Sequence, residues 1–299
     1  MSPFPSGATQ PPEAIPSRPL GFGTAIPEGV APPLEPGVPR TVGRGTTLEV
    51  DGISKSFGSV QALASVSFTV KAGEIVGLLG PNGAGKTTAM KAILGIVPAD
   101  SGEVRLLGRD VAEDLPAAKR MIGYVPESPA LYEFLTGAEY LDFVADMYGL
   151  EASARTERIR TFLAGFELNG HENALISGYS QGMRQKVALI AALVHRPQLL
   201  LLDEPLNGLD PRSARITKDL LRNLADHERT AVLFSTHVLE IAQAICDRVV
   251  ILHRGQVLAS GPFATIRDRA GLAGQDLEEV FLKLTGTGDL REVVEALSR

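Results

Sequence analysis

A glycine-rich segment with one lysine is the first part of the chain that is suited to chemistry. It reads Gly80-Pro81-Asn82-Gly83-Ala84-Gly85-Lys86-Thr87-Thr88. The segment matches the pattern Gly-x4-Gly-Lys-Ser/Thr, in which glycines let successive backbone N–H groups converge on an anion. Lys86 adds a positive charge for the β- and γ-phosphates of a nucleotide, and Thr87 offers a hydroxyl ligand for Mg²⁺. We therefore predict a phosphate-binding loop rather than a glycine-rich turn that carries a surface lysine.

Two acidic residues, Asp203 and Glu204, follow the apolar run 199–202. The run predicts a buried strand, and ligands in open α/β sheets bind where such strands end. We expect Asp203 to hold the water shell of Mg²⁺ and Glu204 to polarise the water that attacks the γ-phosphate. On its own, an acidic pair after a strand usually belongs to a solvated loop and has no catalytic role. Together with the phosphate loop, it predicts hydrolysis of a nucleoside triphosphate.

The surrounding pattern predicts an α/β domain that positions these residues. Residues 46–73 alternate in polarity and predict antiparallel strands, whereas the segment from 130 to 178 is helical in pattern throughout. Thr136 and Glu139 form a capping box at the start of one helix. A helix is also predicted from Lys86 to Ile96. Consecutive apolar residues predict strands of a parallel sheet covered on both faces, at 75–80, 199–202, 231–235 and 249–252.

The domain boundaries follow from composition. Residues 1–45 contain 11 prolines and 7 glycines, so we expect a disordered tail, with a wrongly assigned start or a docking arm as alternatives. Residues 46–285 form the predicted α/β domain, with a helical subdomain at about 128–180. Residues 286–299 are expected to form a short helical extension.

Charge and apolar content exclude several classes of protein. The chain of 299 residues has a formal net charge of −6, which argues against a nucleic-acid binder with a basic surface. Its longest apolar run, Val187 to Val194, has eight residues, whereas a membrane-spanning helix needs about 20. The single cysteine, Cys246, excludes an internal disulfide and a multi-cysteine metal site.

Further motifs, in order along the chain, resemble those of ABC ATPases. Residues 178–186 resemble the signature segment of that family, residues 207–210 its D-loop and residues 235–237 its switch-histidine loop. Phe57 lies 29 residues before Lys86, where the family places an aromatic residue that stacks on adenine. The resemblance covers residues 47–285 and implies a P-loop NTPase fold, with a β-rich antiparallel lobe and a helical subdomain.

The resemblance also implies how the site works. ATP and Mg²⁺ would bind in a homodimer or heterodimer, with each ATP held between the phosphate loop of one chain and the signature segment of the other. Ser180 and Gly182 of the second chain would contact the γ-phosphate, and Gln181 and Asp210 are further nucleotide-binding candidates. His237 would contact the γ-phosphate. Taken alone, His237 is more readily interpreted as a packing or surface residue, and Phe57 as a buried strand phenylalanine.

Three segments, at 124–127, 131–136 and 277–281, resemble ATPase subunits of ABC-2-type exporters. That branch implies integral-membrane permease subunits on separate chains, and a cytoplasmic location on the inner face of the cell membrane. The alternative is a soluble ABC-type ATPase that acts on nucleic acid or the ribosome. The absence of long heptad repeats and of a second phosphate loop disfavours this alternative. A small-molecule P-loop kinase would not need the signature segment.

The chain departs from the family pattern in two places. The usual signature Leu-Ser-Gly-Gly-Gln is replaced by Tyr179-Ser180-Gln181-Gly182-Met183, which keeps Ser180 and Gly182. The glutamine that usually ligates Mg²⁺ is replaced by Glu127. A carboxylate oxygen still suits Mg²⁺, so Glu127 is a predicted ligand beside Thr87 and Asp203. The alternative is an exposed turn glutamate.

Overall fold

The computed structural model describes residues 45–271 and 277–285. The predicted tail, except for Gly45, and the predicted extension at 286–299 lie outside the described residues. The strands are β1 (Thr46–Phe57), β2 (Val60–Lys71), β3 (Ile75–Leu79), β4 (Ser101–Leu106), β5 (Arg109–Asp110), β6 (Ile122–Val125), β7 (Leu199–Asp203), β8 (Ala231–Thr236), β9 (Arg248–His253) and β10 (Gln256–Gly261). The helices are α1 (Lys86–Ile93), α2 (Leu115–Arg120), α3 (Gly137–Met147), α4 (Ala152–Gly165), α5 (Gln181–Leu193), α6 (Pro211–Glu228), α7 (Leu239–Ile245), α8 (Phe263–Arg269) and α9 (Leu277–Thr285).

The strands form two sheets, which confirms the predicted α/β fold with an antiparallel lobe. One sheet has the order β2-β1-β4-β5 and is antiparallel. The other has the order β10-β9-β3-β8-β7-β6, in which only the edge strand β10 is antiparallel. β3, β7 and β8 are buried at every residue, because helices and the antiparallel sheet cover both faces.

The core divides along the faces of the parallel sheet. Leu199 and Leu201 of β7 pack towards α1 and the antiparallel sheet, whereas Leu200 and Leu202 pack towards α3, α4 and α5. A third cluster lies between β9 and the helices α7, α8 and α9. Because successive side chains of a strand point to opposite faces, the strands β3, β6, β7 and β8 each contribute to the first two of these core clusters.

The helices are shorter than the sequence pattern predicts. α1 ends at Ile93 rather than Ile96, because Gly95 adopts a φ of 62° and the N–H of Ile96 donates to the Lys91 carbonyl oxygen, which closes the helix. The segment 130–178 is not helical throughout. It holds α3, α4 and a short 3₁₀ turn at Ile176–Gly178, and Gly149 with a φ of 69° follows α3. The capping box at Thr136 is present.

Within the described ranges 45–271 and 277–285, no helix has the length and apolar character that a membrane span requires.

Candidate functional site

The phosphate loop curls between β3 and α1, as predicted. Gly83 and Gly85 have φ angles of 79° and 106°, which only glycine adopts easily. A Cβ on Gly80 would lie 2.4 Å from the Leu252 carbonyl oxygen, so packing also requires glycine there. The Lys86 ammonium is buried and donates to the carbonyl oxygens of Gly80 at 2.8 Å and Pro81 at 3.3 Å. Its charge is thus held over the loop.

Asp203 lies beside this loop although it is more than a hundred residues away in the chain. The Thr87 hydroxyl donates to Asp203 Oδ2 at 2.7 Å, and the Ser235 hydroxyl donates to Asp203 Oδ1. Asp203 and Ser235 are partners in the parallel register of β7 and β8. The carboxylate is buried, and each of its oxygens accepts a hydrogen bond, as a buried polar group requires. Sequence analysis did not identify Ser235 as this partner.

Glu204 sits in a strained conformation at the end of β7. Its φ is 49°, and its N–H lies 3.2 Å from both the carbonyl and the hydroxyl oxygen of Ser235. The side chain is buried, and Glu204 Oε1 lies 2.8 Å from Nδ1 of His237. Because a carboxylate accepts, His237 Nδ1 is the donor. Strain of this kind is found at functional sites and could not be read from the sequence.

A cavity of about 690 Å³ is lined by Lys86, Thr87, Asp203 and Glu204, whereas Gly80, Pro81, Ser235 and His237 are not among its lining residues. Its lining includes residues 82–88 of the phosphate loop, the acidic residues Glu127, Asp203 and Glu204, and the side chain of Phe57 at the mouth. Phe57 is 51% exposed, so it is not the buried strand phenylalanine of the alternative interpretation. The lining also includes Val60, Gln61, Ala62 and Arg254, which the sequence analysis did not single out.

The signature residues do not line this cavity. Ser180 caps α5 by accepting from the Met183 N–H at 3.3 Å, and a Cβ on Gly182 would lie 2.8 Å from the Gly208 carbonyl oxygen. Asp210 caps α6 and accepts from the N–H and hydroxyl of Ser213. These hydrogen bonds, with Lys186 nearby, lower the pKa of Asp210 to about 2. Within one chain, the signature segment and the D-loop therefore form a second cluster away from the phosphate loop.

A separate apolar groove of about 360 Å³ lies between β6 of the parallel sheet and the helices α3 and α5. Pro126 and Pro129, on either side of Glu127, line one end of it. Beside the groove, an aromatic cluster comprises Tyr132, Phe134, Tyr140 and Phe143, with ring centroids 5.7–6.0 Å from Tyr132. Phe134 is 75% exposed, which is unusual for an aromatic side chain of this size.

The fold and the first cavity define a class. A parallel sheet, a glycine-rich loop opening α1, and an acidic pair at the end of β7 are together the framework of a P-loop nucleoside triphosphatase. The strand β3, the loop and the helix α1 occur in the order that the phosphate-loop motif requires, so the structure as well as the residue pattern matches this motif.

Similarity to known proteins narrows the class. The family model for ABC transporters matches residues 63–207. The uncharacterized ABC transporter ATP-binding protein YdbJ of Bacillus subtilis (strain 168) is 40% identical over 212 residues, 71% of this chain and 68% of YdbJ. A solved ATP-binding subunit of an ABC transporter is 36% identical, with a TM-score of 0.77 over 80% of this chain and 100% of that one. The ATP-binding cassette MJ0796, solved as a dimer bound to ADP and Pi in a post-hydrolysis state, is 26% identical, with a TM-score of 0.67 over 72% of this chain and 98% of its own.

The chain belongs to the family of ABC transporter ATP-binding proteins.

Proposed function

We propose that this chain binds Mg·ATP in the cavity and hydrolyses it as part of a dimer, to drive export through separate membrane-spanning subunits. One observation supports hydrolysis: Lys86, the Thr87–Asp203 pair and Glu204, which accepts a hydrogen bond from His237, line one cavity. A cation, a metal-binding pair and a base are the parts that phosphoryl transfer to water requires.

The residues present fit Mg²⁺. The Thr87 hydroxyl and the Asp203 carboxylate lie 2.7 Å apart, and Glu127 lines the same cavity, so all three candidates offer the oxygen atoms that this ion prefers. Among the described residues, no group of three or more His, Cys, Asp or Glu side chains forms a complete metal cage. This suits Mg²⁺, which is usually held by one or two protein oxygens together with phosphates and water. Bound Mg²⁺ would neutralise charge on the β- and γ-phosphates.

Glu204 is the proposed general base. Its carboxylate is buried at the end of β7, and its positive φ aims the side chain at His237 instead of along the strand. In this role Glu204 accepts a proton from the attacking water, while the Nδ1–H of His237 fixes the orientation of the carboxylate. The 53% exposed His237 side chain remains able to contact the γ-phosphate. The Phe57 ring is proposed to stack on the adenine base.

The position of the signature segment supports a dimer. Ser180 and Gln181 are exposed at the N-terminus of α5, where unpaired N–H groups and the helix dipole favour an anion. Because these residues do not line the cavity of their own chain, we propose that they contact the γ-phosphate held by a second chain. The dimeric state of MJ0796 supports this arrangement.

The hydrolytic proposal is tested with Lys86→Ala. We expect this variant to lose hydrolysis and most affinity for Mg·ATP, because it removes the cation held over the phosphate loop. Lys91→Ala, on the same helix but outside the cavity lining, is the matched control and should behave as wild type. ATP turnover and circular dichroism are measured on both. A folded Lys86→Ala protein with wild-type turnover would contradict the assignment.

The apolar groove supports a membrane partner. The groove and the exposed aromatic cluster lie next to Glu127, so a protein segment bound there would contact the loop that also lines the nucleotide cavity. We propose that permease subunits on separate chains bind this face and hold the ATPase at the inner face of the cell membrane. The resemblance of residues 131–136 and 277–281 to ABC-2-type exporters supports export as the direction.

Co-purification tests the partner. Phe134→Asp combined with Phe143→Asp should abolish capture of a hydrophobic multi-span protein and leave the ATPase activity of the isolated chain intact. Leu258→Asp, an exposed apolar residue on β10, is the control and should keep the partner. Recovery of RNA or DNA in place of a membrane protein would favour the alternative of a soluble ATPase acting on nucleic acid or the ribosome.

A further inference from the structure

Arg254 occupies an unfavourable place in the chain. It forms, with Gly255, the two-residue loop between β9 and β10, and the two residues have φ angles of 48° and 75°. Two positive φ angles define a type I′ turn, which favours Asn or Asp followed by Gly. A long unbranched side chain gains nothing from this conformation, so the arginine strains the turn. Strained backbone conformations of this kind are found at ligand-binding sites, where the side chain contacts the ligand.

The turn is attached to two segments of the nucleotide cavity. The N–H of Gly255 donates to the Ala84 carbonyl oxygen at 3.0 Å, and the Gly255 carbonyl oxygen accepts from the N–H of Ala64 at 2.8 Å. A Cβ on Gly255 would lie 2.7 Å from the Ala62 carbonyl oxygen, so the close contact requires glycine there. Arg254 is therefore held between the phosphate loop and the β1–β2 hairpin.

The Arg254 side chain lines the cavity and has no partner in the described parts of the chain. It is exposed, and its guanidinium makes no hydrogen bond or ion pair with any described residue. The charged residues of the lining are Glu127, Asp203, Glu204, Lys86 and Arg254. Acidic groups outnumber basic groups at a site proposed to hold an anion. A second cation there would therefore reduce the repulsion between the carboxylates and the bound anion.

We infer that Arg254 is a further nucleotide-binding residue, whose guanidinium donates hydrogen bonds to the α-phosphate of the bound nucleotide. Lys86 and Thr87 are committed to the β- and γ-phosphates, and Phe57 lies on the side proposed for the base. Through Gly255 the turn contacts Ala84 of the phosphate loop and Ala62 of the hairpin that carries Phe57, so we place the α-phosphate, which joins the β-phosphate to the nucleoside, beside Arg254. The inference rests on the proposed nucleotide site and adds a residue that the phosphate-loop pattern does not contain.

Binding titrations test the inference on the full chain with Mg·ADP and with a non-hydrolysable ATP analogue. Arg254→Ala should weaken both ligands by a similar factor, about tenfold, because both carry the α-phosphate. Arg254→Lys should recover part of the loss. Binding of adenosine, which has no phosphate, should be unchanged. A loss confined to the ATP analogue would overturn the α-phosphate assignment, and unchanged binding of both nucleotides would overturn the inference altogether.

A second readout does not depend on nucleotide. Arg254→Asn should raise the melting temperature of the nucleotide-free chain by about 1–3 °C, since Asn suits a positive φ, while it weakens Mg·ADP binding. Arg229→Asn is the matched control. Arg229 has a φ of 62° at the end of α6 and does not line the cavity, so this change should raise the melting temperature and leave binding unchanged.

The outcomes separate this inference from the proposed function. Wild-type protein that binds neither ADP nor the ATP analogue would overturn both. Wild-type binding that Arg254→Ala and Arg254→Asn leave intact would overturn only the role of Arg254.

Discussion

The nucleotide cavity and the apolar groove lie on either side of the short segment from Pro126 to Pro129, and their linings differ in chemical character. The nucleotide cavity is lined by charged side chains, buried carboxylates and backbone in left-handed conformations. The groove is lined mostly by aliphatic side chains, prolines and tyrosines, with Lys119 as its charged residue. The first is suited to bind and cleave an anion, and the second to bind an apolar segment of another protein.

Two residues of the nucleotide cavity have a backbone conformation that residues other than glycine rarely adopt. Glu204 and Arg254 both have a positive φ and both line the nucleotide cavity. None of the residues that line the groove has a positive φ. If this division is correct, changes to one cavity should leave the other intact, and only the segment that contains Glu127 should affect both.

The largest effect is expected from Glu204→Gln. The amide cannot accept a proton from water, so hydrolysis should fall by about 10²–10⁴-fold while Mg·ATP binding persists. The ATP-bound dimer should then accumulate, as measured by size-exclusion chromatography with Mg·ATP. Glu228→Gln, an exposed change at the end of α6, is the control and should keep wild-type turnover. Normal turnover of Glu204→Gln would show that another group is the base.

The free energy of unfolding should depend on pH through His195, which packs behind Tyr148 in the wall of the groove. Its ring stacks on Tyr148 at 3.7 Å, its Nε2 lies 3.2 Å from the Ile122 carbonyl oxygen, and burial lowers its pKa to about 4. Below about pH 6.5 the unfolded chain binds a proton that the folded chain excludes until about pH 4. The free energy of unfolding should therefore fall by up to about 3 kcal/mol as pH drops through this window.

Urea unfolding of wild type and His195→Phe at several pH values between 4 and 7 measures the contribution of His195 to the pH dependence of stability. The variant keeps an aromatic ring against Tyr148 but cannot titrate, so its stability should depend less steeply on pH. His171→Asn, at an exposed histidine, should keep the wild-type slope. Equal slopes for all three proteins would show that burial of His195 does not control the acid sensitivity of this wall.

Glu127 tests the link between the two cavities. Glu127→Gln keeps an oxygen ligand and removes one negative charge, so Mg·ATP should bind at least as tightly and hydrolysis should stay within about tenfold, a change in barrier below about 1.4 kcal/mol. Glu127→Ala should be clearly worse, because it removes the ligand. The Mg²⁺ dependence of ATPase activity is measured for both variants and wild type. Three superimposed curves would leave Glu127 as a turn residue without a metal role.

The smallest effect is expected from Thr136→Ala, which removes the cap of the helix that carries part of the groove. The Thr136 hydroxyl accepts from the Glu139 N–H at 3.2 Å, and Glu139 Oε2 accepts from the Thr136 N–H at 2.8 Å. Loss of the Thr136 cap should lower the free energy of unfolding by about 1 kcal/mol and leave nucleotide binding unchanged. Thr161→Ala, in the interior of α4, should cost less. A large loss of nucleotide affinity in Thr136→Ala would contradict the separation of the two cavities.

The sequence by itself determined the phosphate loop and the buried strands. Glycine at residues 80, 83 and 85, followed by Lys86, encodes a local backbone path, and consecutive apolar residues encode a strand covered on both faces. The capping box at Thr136 was equally readable, since it involves residues within three positions. Local patterns suffice wherever the contacts that stabilise an element are themselves local.

Only the tertiary structure decided which distant residues meet. The parallel register brings Ser235 to Asp203, the strained φ of Glu204 turns its carboxylate to His237, and a hairpin late in the chain places Arg254 beside the phosphate loop. Helix ends were also missed, at Ile93 and within the segment 130–178, because Gly95 and Gly149 adopt a positive φ after α1 and α3, as Glu167 does after α4. These features depend on strand order and on backbone conformation, and neither is encoded in residue spacing along the chain.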